Sequence, residues 1–297
     1  MTTTGELVTN TLFDVKGFVA VVTGGGTGIG LMAAQGLAAN GARVYIVGRR
    51  KEALDQAIKK YSGSVSGELR GIQADITNPK DVENLAKELE SKEPKGVNIL
   101  VNNAGVTLET EQKEQASNVD YTNAESVQKF LFGQGRQCWE QTLSTDLTSQ
   151  HYVTASLLPA LNTGRQHVTG HSSSVINISS ISGTTKTHSS GQFAYAAAKA
   201  AFTQLTKQLA FTLHPLRIRV NAIEPGLFPS EMTTGDSDES QKSKLEGPGG
   251  KFPAARTGQE GDIASAVLYL GSRAGSYVNG EALHVDGGAL LRSPSSA

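Results

Sequence analysis

The sequence predicts an α/β chain built as a doubly wound parallel sheet, three layers deep in the order α/β/α and forming one domain. Three observations carry this. Runs rich in β-branched residues alternate with helical periodicity along most of the 297 residues. Several of those runs are apolar over consecutive residues rather than every second one, which suits strands covered on both faces. The first run also leads directly into a glycine-rich turn and then a helix.

In chain order, F-V-A-V-V-T (18–23) reads as a buried strand, and Leu31 to Asn40, with the glycines before it, as a helix. A-R-V-Y-I-V-G (42–48), E-L-R-G-I-Q-A-D (68–75) and V-N-I-L-V-N (97–102) give the second, third and fourth strands. S-S-V-I-N-I-S (173–179), R-I-R-V-N-A-I (217–223) and E-A-L-H-V-D (281–286) follow, with helical segments between nearly all of them. No break in composition divides the chain. We therefore expect a tail over 1–14, a domain over 15–290 and a tail over 291–297. Two stretches fall out of pattern, 106–137 and 227–256, the first polar and the second rich in Gly and Ser. Insertions of this length serve as lids or stay disordered, and both leave the carboxyl edge of the predicted sheet, where ligands bind in such folds.

Composition narrows the function. Lys+Arg number 27 against 28 Asp+Glu, with no basic stripe, so nucleic acid is not an expected partner. The apolar stretches are too short to span a membrane, and no cationic amphipathic helix points to a membrane surface. One cysteine, Cys138, excludes an internal disulfide and fits a reducing compartment. The opening M-T-T-T-G-E lacks the pattern of a secretory signal, and the closing S-P-S-S-A is no peroxisomal address. A cytoplasmic location is the expectation.

The turn Thr23-Gly24-Gly25-Gly26-Thr27-Gly28-Ile29-Gly30 stands between a strand and a helix. Backbone N–H groups at a helix start bind phosphate, and the missing side chains let it approach. Gly24, Gly28 and Gly30 carry the pattern, with Thr27 and Ile29 among them, and a dinucleotide is the expected ligand. A carboxylate ending the second strand would mark NAD by binding the ribose 2′-hydroxyl. Here Arg49 and Arg50 follow Gly48. A guanidinium suits a 2′-phosphate, so NADP is expected, with Arg49 as its ligand and Arg50 either bound or solvated. Asp75 and Ile76, ending the third strand, suit adenine, though an aspartate there equally suits a turn cap.

Tyr195 and Lys199, in Y-A-A-A-K, lie one above the other if the segment is helical. A free phenol has a pKa of roughly 10 and is a poor acid or base at neutral pH. A neighbouring ammonium favours the phenolate and pulls that value down. The six histidines lack metal-ligand spacing, and no metal is expected. His188, between Ser180 and Tyr195, is a candidate for the substrate border. The segment Phe193 to His214 is apolar on nearly every side, which predicts burial and, at a sheet edge, a partner subunit.

Taken together, T-G-G-G-T-G-I-G (23–30), N-N-A-G (102–105), S-S (179–180), Y-A-A-A-K (195–199), P-G (225–226) and V-D-G-G (285–288) resemble the short-chain dehydrogenase/reductase family in its single-domain branch. The likeness covers about residues 15–290, and the long 106–137 insertion with E-P-G-L-F-P-S-E-M (224–232) is similar to the fungal group labelled 3-oxoacyl-carrier-protein reductase-like. The resemblance implies a Rossmann fold and an oxidoreductase that moves a hydride between NADPH and a small ketone or secondary alcohol. It implies that Tyr195 is the general acid, that Lys199 holds the nicotinamide ribose and lowers the Tyr195 pKa, and that Ser180 binds the substrate oxygen. Ser179 and Ser182 are rivals for the serine role. Asn103 and Gly105 would line the cofactor ribose, while Pro225, Gly226 and Phe228 would border the nicotinamide, with Ser230 where threonine is commoner. It also implies a homodimer or homotetramer.

One position departs from the family pattern. Where an asparagine usually holds a water linking the lysine to solvent, T-L-S-T-D-L-T places Asp146. A carboxylate still accepts from water, but its charge would weaken the depression of the tyrosine pKa. A slipped alignment would instead leave Asp146 on the surface. A redox-neutral isomerase or dehydratase and a non-catalytic cofactor-binding member are the alternative functions. Neither insertion carries an arginine cluster for carrier or coenzyme phosphates, since Lys242, Lys244 and Lys251 are interleaved with acids.

Overall fold

A computed structural model describes residues 4–168, 170–245 and 252–295. Lys251 and the E-G-P-G-G stretch before it therefore lie outside the described residues. Seven strands, β1 (Val19–Thr23), β2 (Arg43–Gly48), β3 (Glu68–Gln73), β4 (Ile99–Asn102), β5 (Ser174–Ile178), β6 (Arg219–Pro225) and β7 (Ala282–Val285), form a single sheet. Its order is β3-β2-β1-β4-β5-β6-β7, and every pairing is parallel. The chain winds outward from β1 in one direction as far as β3, then crosses back to β4 and winds in the other. That reversal opens a crevice between β1 and β4 at the carboxyl edge, the switch point where doubly wound sheets bind ligands. The expected doubly wound architecture is the one observed.

After a short N-terminal turn, α1 (Thr9–Leu12), the helices α2 (Gly28–Ala39), α3 (Lys51–Tyr61) and α4 (Pro79–Lys92) alternate with β1 to β4. Beyond β4 come α5 (Thr110–Ala116), α6 (Ala124–Phe132) and α7 (Arg136–Leu143), then a π-helical turn over Ser144–Thr148 that runs into α8 (Ser149–His167). The remaining helices are α9 (Phe193–Leu213), α10 (Glu231–Thr234) and α11 (Glu260–Gly271).

β1, β4, β5 and β6 are buried at every position, including the polar Asn177, Asn221 and Glu224, as strands covered on both faces require. Their side chains feed two cores. Val22, Ile46, Ile99 and Ile176 face Leu31 and Leu37 of α2, Leu54 of α3 and Ile263 and Leu270 of α11. Val21, Tyr45, Leu100 and Val175 face Leu85 and Leu89 of α4, Leu157 and Leu161 of α8 and Leu213 of α9. Burying such a side chain contributes about 1.5–3 kcal/mol, which fixes the strand ends that carry the site.

The structure alters two expectations. Residues 106–137 are largely helical, forming α5, α6 and the start of α7, instead of an irregular lid. α9 is also not buried all round: Ala198, Phe202, Thr206 and Ala210 face inward, while Gln204, Lys207, Gln208 and Phe211 are exposed in the single chain. The polar residues among the alanines give it an outer face.

Candidate active site

The glycine turn occupies the end of β1 and the start of α2. Gly24 has φ +64°, and a Cβ there would stand 2.9 Å from Ala104 Cα. A Cβ on Gly30 would collide with the carbonyl oxygen of Gly24. Only glycine lets the turn close this tightly against the end of β4. The Thr27 side chain makes no capping bond to the first turn of α2, so those amides are open to an anion, and the residues present fit a dinucleotide phosphate. Asn103 holds the turn in shape: its Nδ2 donates to Thr23 O at 2.9 Å and to Gly24 O at 3.2 Å. Its amide group thus serves the backbone of the turn, a role the sequence did not suggest.

Around the predicted adenine end, the two arginines divide. Arg50 is the engaged one, with Nη2 and Nη1 at 2.6 and 3.2 Å from the two oxygens of Glu231 on α10, and Nη2 at 3.5 Å from Thr27 Oγ1. Arg49 is exposed, and its positive charge helps to hold the Asp75 carboxyl below the ordinary carboxylate range. Asp75 Oδ1 accepts from the Thr77 amide at 2.9 Å and from its hydroxyl at 2.7 Å, so of the two roles open to it, the turn cap is present. Ile76 beside it is buried.

At the other end of the crevice, β5 delivers Ser179 and Ser180. Ser179 turns inward: its hydroxyl donates to Lys199 O at 2.8 Å and pairs with Thr203 Oγ1 at 2.9 Å. Thr203 donates in turn to the buried Glu224, which also accepts from Thr184 and pairs with His284 Nε2 at 3.0 Å. Ser182 accepts from the Ser189 hydroxyl at 2.9 Å. Ser180 is the serine whose hydroxyl acts on the Tyr195 phenol, favouring its ionised form. Alternation along the strand separates the neighbours.

α9 stacks Tyr195 and Lys199 as the i, i+4 spacing requires, with Nζ 5.5 Å from the centre of the phenol ring. Nζ donates to Ile178 O at 3.1 Å and lies 3.4 Å from Asp146 Oδ2. Asp146 is fully buried in the π-helical turn, and its Oδ1 accepts from the Val106 amide at 2.8 Å. The surface alternative for Asp146 is thereby excluded. Single-turn π-bulges of this kind are frequent at functional sites. Burial pushes the Asp146 carboxyl above the usual range, against the pull of Lys199 and the Val106 amide.

The net effect on Tyr195 departs from the expectation. Burial raises its pKa above the ordinary phenol value, Lys199 and the Ser180 hydroxyl pull it down, and Asp146 and Glu109 push it up. The ammonium acts in the anticipated direction but is outweighed. Phe228 is buried, while Pro225 and Gly226 close β6 beside Val285 of β7. Gly105 lies against Asp146, where a Cβ would be 3.0 Å from Oδ2. His188 accepts from the Gly191 amide at 3.0 Å and stacks on Tyr121, which makes it a brace for the loop before α9.

Comparison with known proteins decides the family. Residues 24–289 match the family described as enoyl-(acyl carrier protein) reductase. The chain is 37% identical over 294 residues to the short-chain dehydrogenase/reductase PhomF of Diaporthe leptostromiformis, covering 99% of this chain and 98% of that one. The chain belongs to the short-chain dehydrogenase/reductase family. Within that oxidoreductase family it is also 34% identical to the 3-oxoacyl-[acyl-carrier-protein] reductase FabG of Vibrio cholerae, covering 94% of this chain and 99% of that one. Among solved structures, the Pseudomonas aeruginosa RhlG/NADP active-site complex superposes with a TM-score of 0.73 at 32% identity, covering 93% of this chain and 97% of that one. No helix among the described residues is long and apolar enough to cross a membrane, and no group of three or more metal-ligating side chains occurs among them.

Family membership could be read from the motifs, whereas Glu109 and Glu224 could not be singled out. Glu224 precedes Pro225 at the end of β6 and shows its role only through the threonines and histidine that fold against it. Glu109 opens a run of charged residues that reads as solvated surface, yet it is fully buried.

Proposed function

We propose that this chain is an NADP-dependent carbonyl reductase, or the reverse alcohol dehydrogenase, acting on a ketone of a small organic or acyl-type substrate. The observation that carries it is the convergence of Ser180 and Lys199 on the Tyr195 phenol, with the lysine Nζ 5.5 Å from the ring centre. Two hydroxyls that interact with one another are close enough to reach a single carbonyl oxygen together. NADPH, when bound, supplies the hydride.

Gly24, Thr27, Gly28, Ile29 and Gly30 would hold its phosphates, Arg49 the 2′-phosphate, Asp75 and Ile76 the adenine, and Asn103 and Gly105 the adjoining ribose. Lys199 would bind the nicotinamide ribose, and Pro225, Gly226 and Phe228 would border the ring. The superposition on an NADP complex and the absence of an acidic residue at the end of β2 support the choice of NADP.

In reduction the carbonyl carbon accepts the hydride and its oxygen gains negative charge. Ser180 stabilises that charge by donating a hydrogen bond, and Tyr195 delivers the proton that completes the alcohol. A phenol held above its ordinary pKa is fully protonated at neutral pH, the form reduction consumes. The phenolate left behind is stabilised by Lys199 and regains its proton from solvent past Asp146. Cytoplasmic catalysis as a homodimer or homotetramer, with the outer face of α9 at a subunit contact, completes the proposal.

The test is a ketone screen with NADPH and NADH. Wild-type protein should bind NADPH more tightly and consume it in step with product. Tyr195→Phe should keep NADPH binding and lose turnover by about 1,000-fold. Undiminished product formation by that variant would remove Tyr195 from the chemistry, and equal affinities would overturn the cofactor assignment alone.

A further inference from the structure

The N-terminus of α9, two residues ahead of Tyr195, is capped from a distant part of the chain. Gln192, the residue before the helix, makes no side-chain cap, and its amide group donates instead to Thr107 Oγ1 at 2.6 Å. The open amides of Ala194 and Tyr195 donate to the two carboxylate oxygens of Glu109, at 2.7 and 3.1 Å. Glu109 is fully buried and lies 86 residues before Tyr195. We propose that Glu109 is a positioning residue for proton transfer: it clamps the first turn of α9 so that the Tyr195 hydroxyl is held at Ser180.

Three physical arguments support this. A carboxylate with both oxygens bound to backbone amides of one helix turn fixes that turn in position and rotation, and the positive end of the helix dipole favours the charge. The side chain of Tyr195 departs from one of the two amides held, so any shift of the turn moves the phenol directly. The surroundings reinforce the clamp as well. Gln134 Nε2 donates to Gly191 O at 3.0 Å and His188 Nδ1 accepts from the Gly191 amide, so the loop entering α9 is fixed on both sides.

Glu109 also acts through its charge. The groups facing Tyr195 are Lys199 on its own helix, Asp146 from the π-helical turn, Ser180 from the end of β5 and Glu109 from the segment after β4. The thiol of Cys138 on α7 faces Glu109 and is pushed up by burial and by that carboxylate. Burial is the largest influence that favours the protonated phenol, and Asp146 and, to a lesser degree, Glu109 add to it against Lys199.

This role rests on Tyr195 being the proton donor proposed above, so the experiment separates the two claims. Amide hydrogen exchange over residues 193–196 of the full chain needs no turnover. Glu109→Ala should open those amides at least about tenfold, Glu109→Gln less, since one oxygen remains to accept, and unchanged exchange in both would overturn the clamp. The pH profile of ketone reduction then reads the charge. Loss of the carboxylate in Glu109→Gln should move the alkaline limb to lower pH, whereas a purely structural cap would leave it in place. Should wild-type protein reduce no ketone while exchange still responds to Glu109, the reaction class falls and the clamp stands. Glu109→Gln serves where Glu109→Ala fails to fold.

Discussion

The two insertions at the carboxyl edge are held by different forces. Residues 106–137 dock through buried or partly buried bonds that engage backbone: Glu109 accepts from the first turn of α9, Gln134 donates to Gly191 O, and the Val106 amide donates to Asp146. Beyond the buried Phe228, residues 229–245 dock over the glycine turn through side-chain contacts nearer to solvent. Glu231 takes Arg50, Thr27 and Ser237, and Lys242 takes Glu260 at 2.6 Å. Buried hydrogen bonds leave unsatisfied groups when broken and so resist displacement. Exposed ion pairs contribute about 0–1 kcal/mol and exchange readily with water or another anion. The first insertion is therefore part of the rigid wall behind Tyr195, and the contacts that hold the second exchange more readily.

The largest expected effect is on the wall. Gly191 has φ +85°, and a Cβ there would meet Gln112 O at 2.8 Å and the Phe130 ring at 3.1 Å. Gly191→Ala should cost about 2 kcal/mol or more of stability through strain and overpacking, read by thermal or denaturant unfolding, with turnover falling alongside. Unaltered stability would show that the first insertion is as loosely held as the second.

A smaller effect is expected at the second insertion. Glu231→Ala should leave stability nearly unchanged while releasing Arg50 and removing a negative charge beside the proposed phosphate site. NADPH affinity, measured by fluorescence titration, should rise about threefold. Weaker binding would mean that Glu231 builds the site and does not compete for it.

Asp146 tests the seam between the wall and the chemistry with the smallest change. Asp146→Asn keeps an oxygen for the Val106 amide but removes a charge that raises the Tyr195 pKa. Reduction needs the protonated phenol, so the alkaline limb should move to lower pH while turnover is kept or slightly raised. A fall in turnover by orders of magnitude would show that the carboxylate itself carries the proton relay.

Much of this could be read from the chain. The apolar run at β1 and the largely apolar stretches at β4 and β5 point to burial on both faces, which in a chain that alternates strand with helix leads to a parallel, doubly wound sheet. Gly24 to Gly30 between a strand and a helix, and Tyr195 four residues before Lys199, are local patterns whose geometry follows from backbone periodicity. Asp146 was legible only as a departure from a family motif. Glu109 was not legible, because its partners are the amides of Ala194 and Tyr195, and an amide leaves no trace in residue type.

Local spacing thus determined the order of the strands in sequence, the position of the phosphate turn and the tyrosine–lysine pair, because each depends on residues within a few positions of one another. Only tertiary structure decided which serine meets the phenol, which arginine is engaged and which way the Tyr195 pKa moves. Those outcomes depend on burial and on polar groups brought together across 40 to 181 residues of chain, and the energy of a charge is set by what surrounds it.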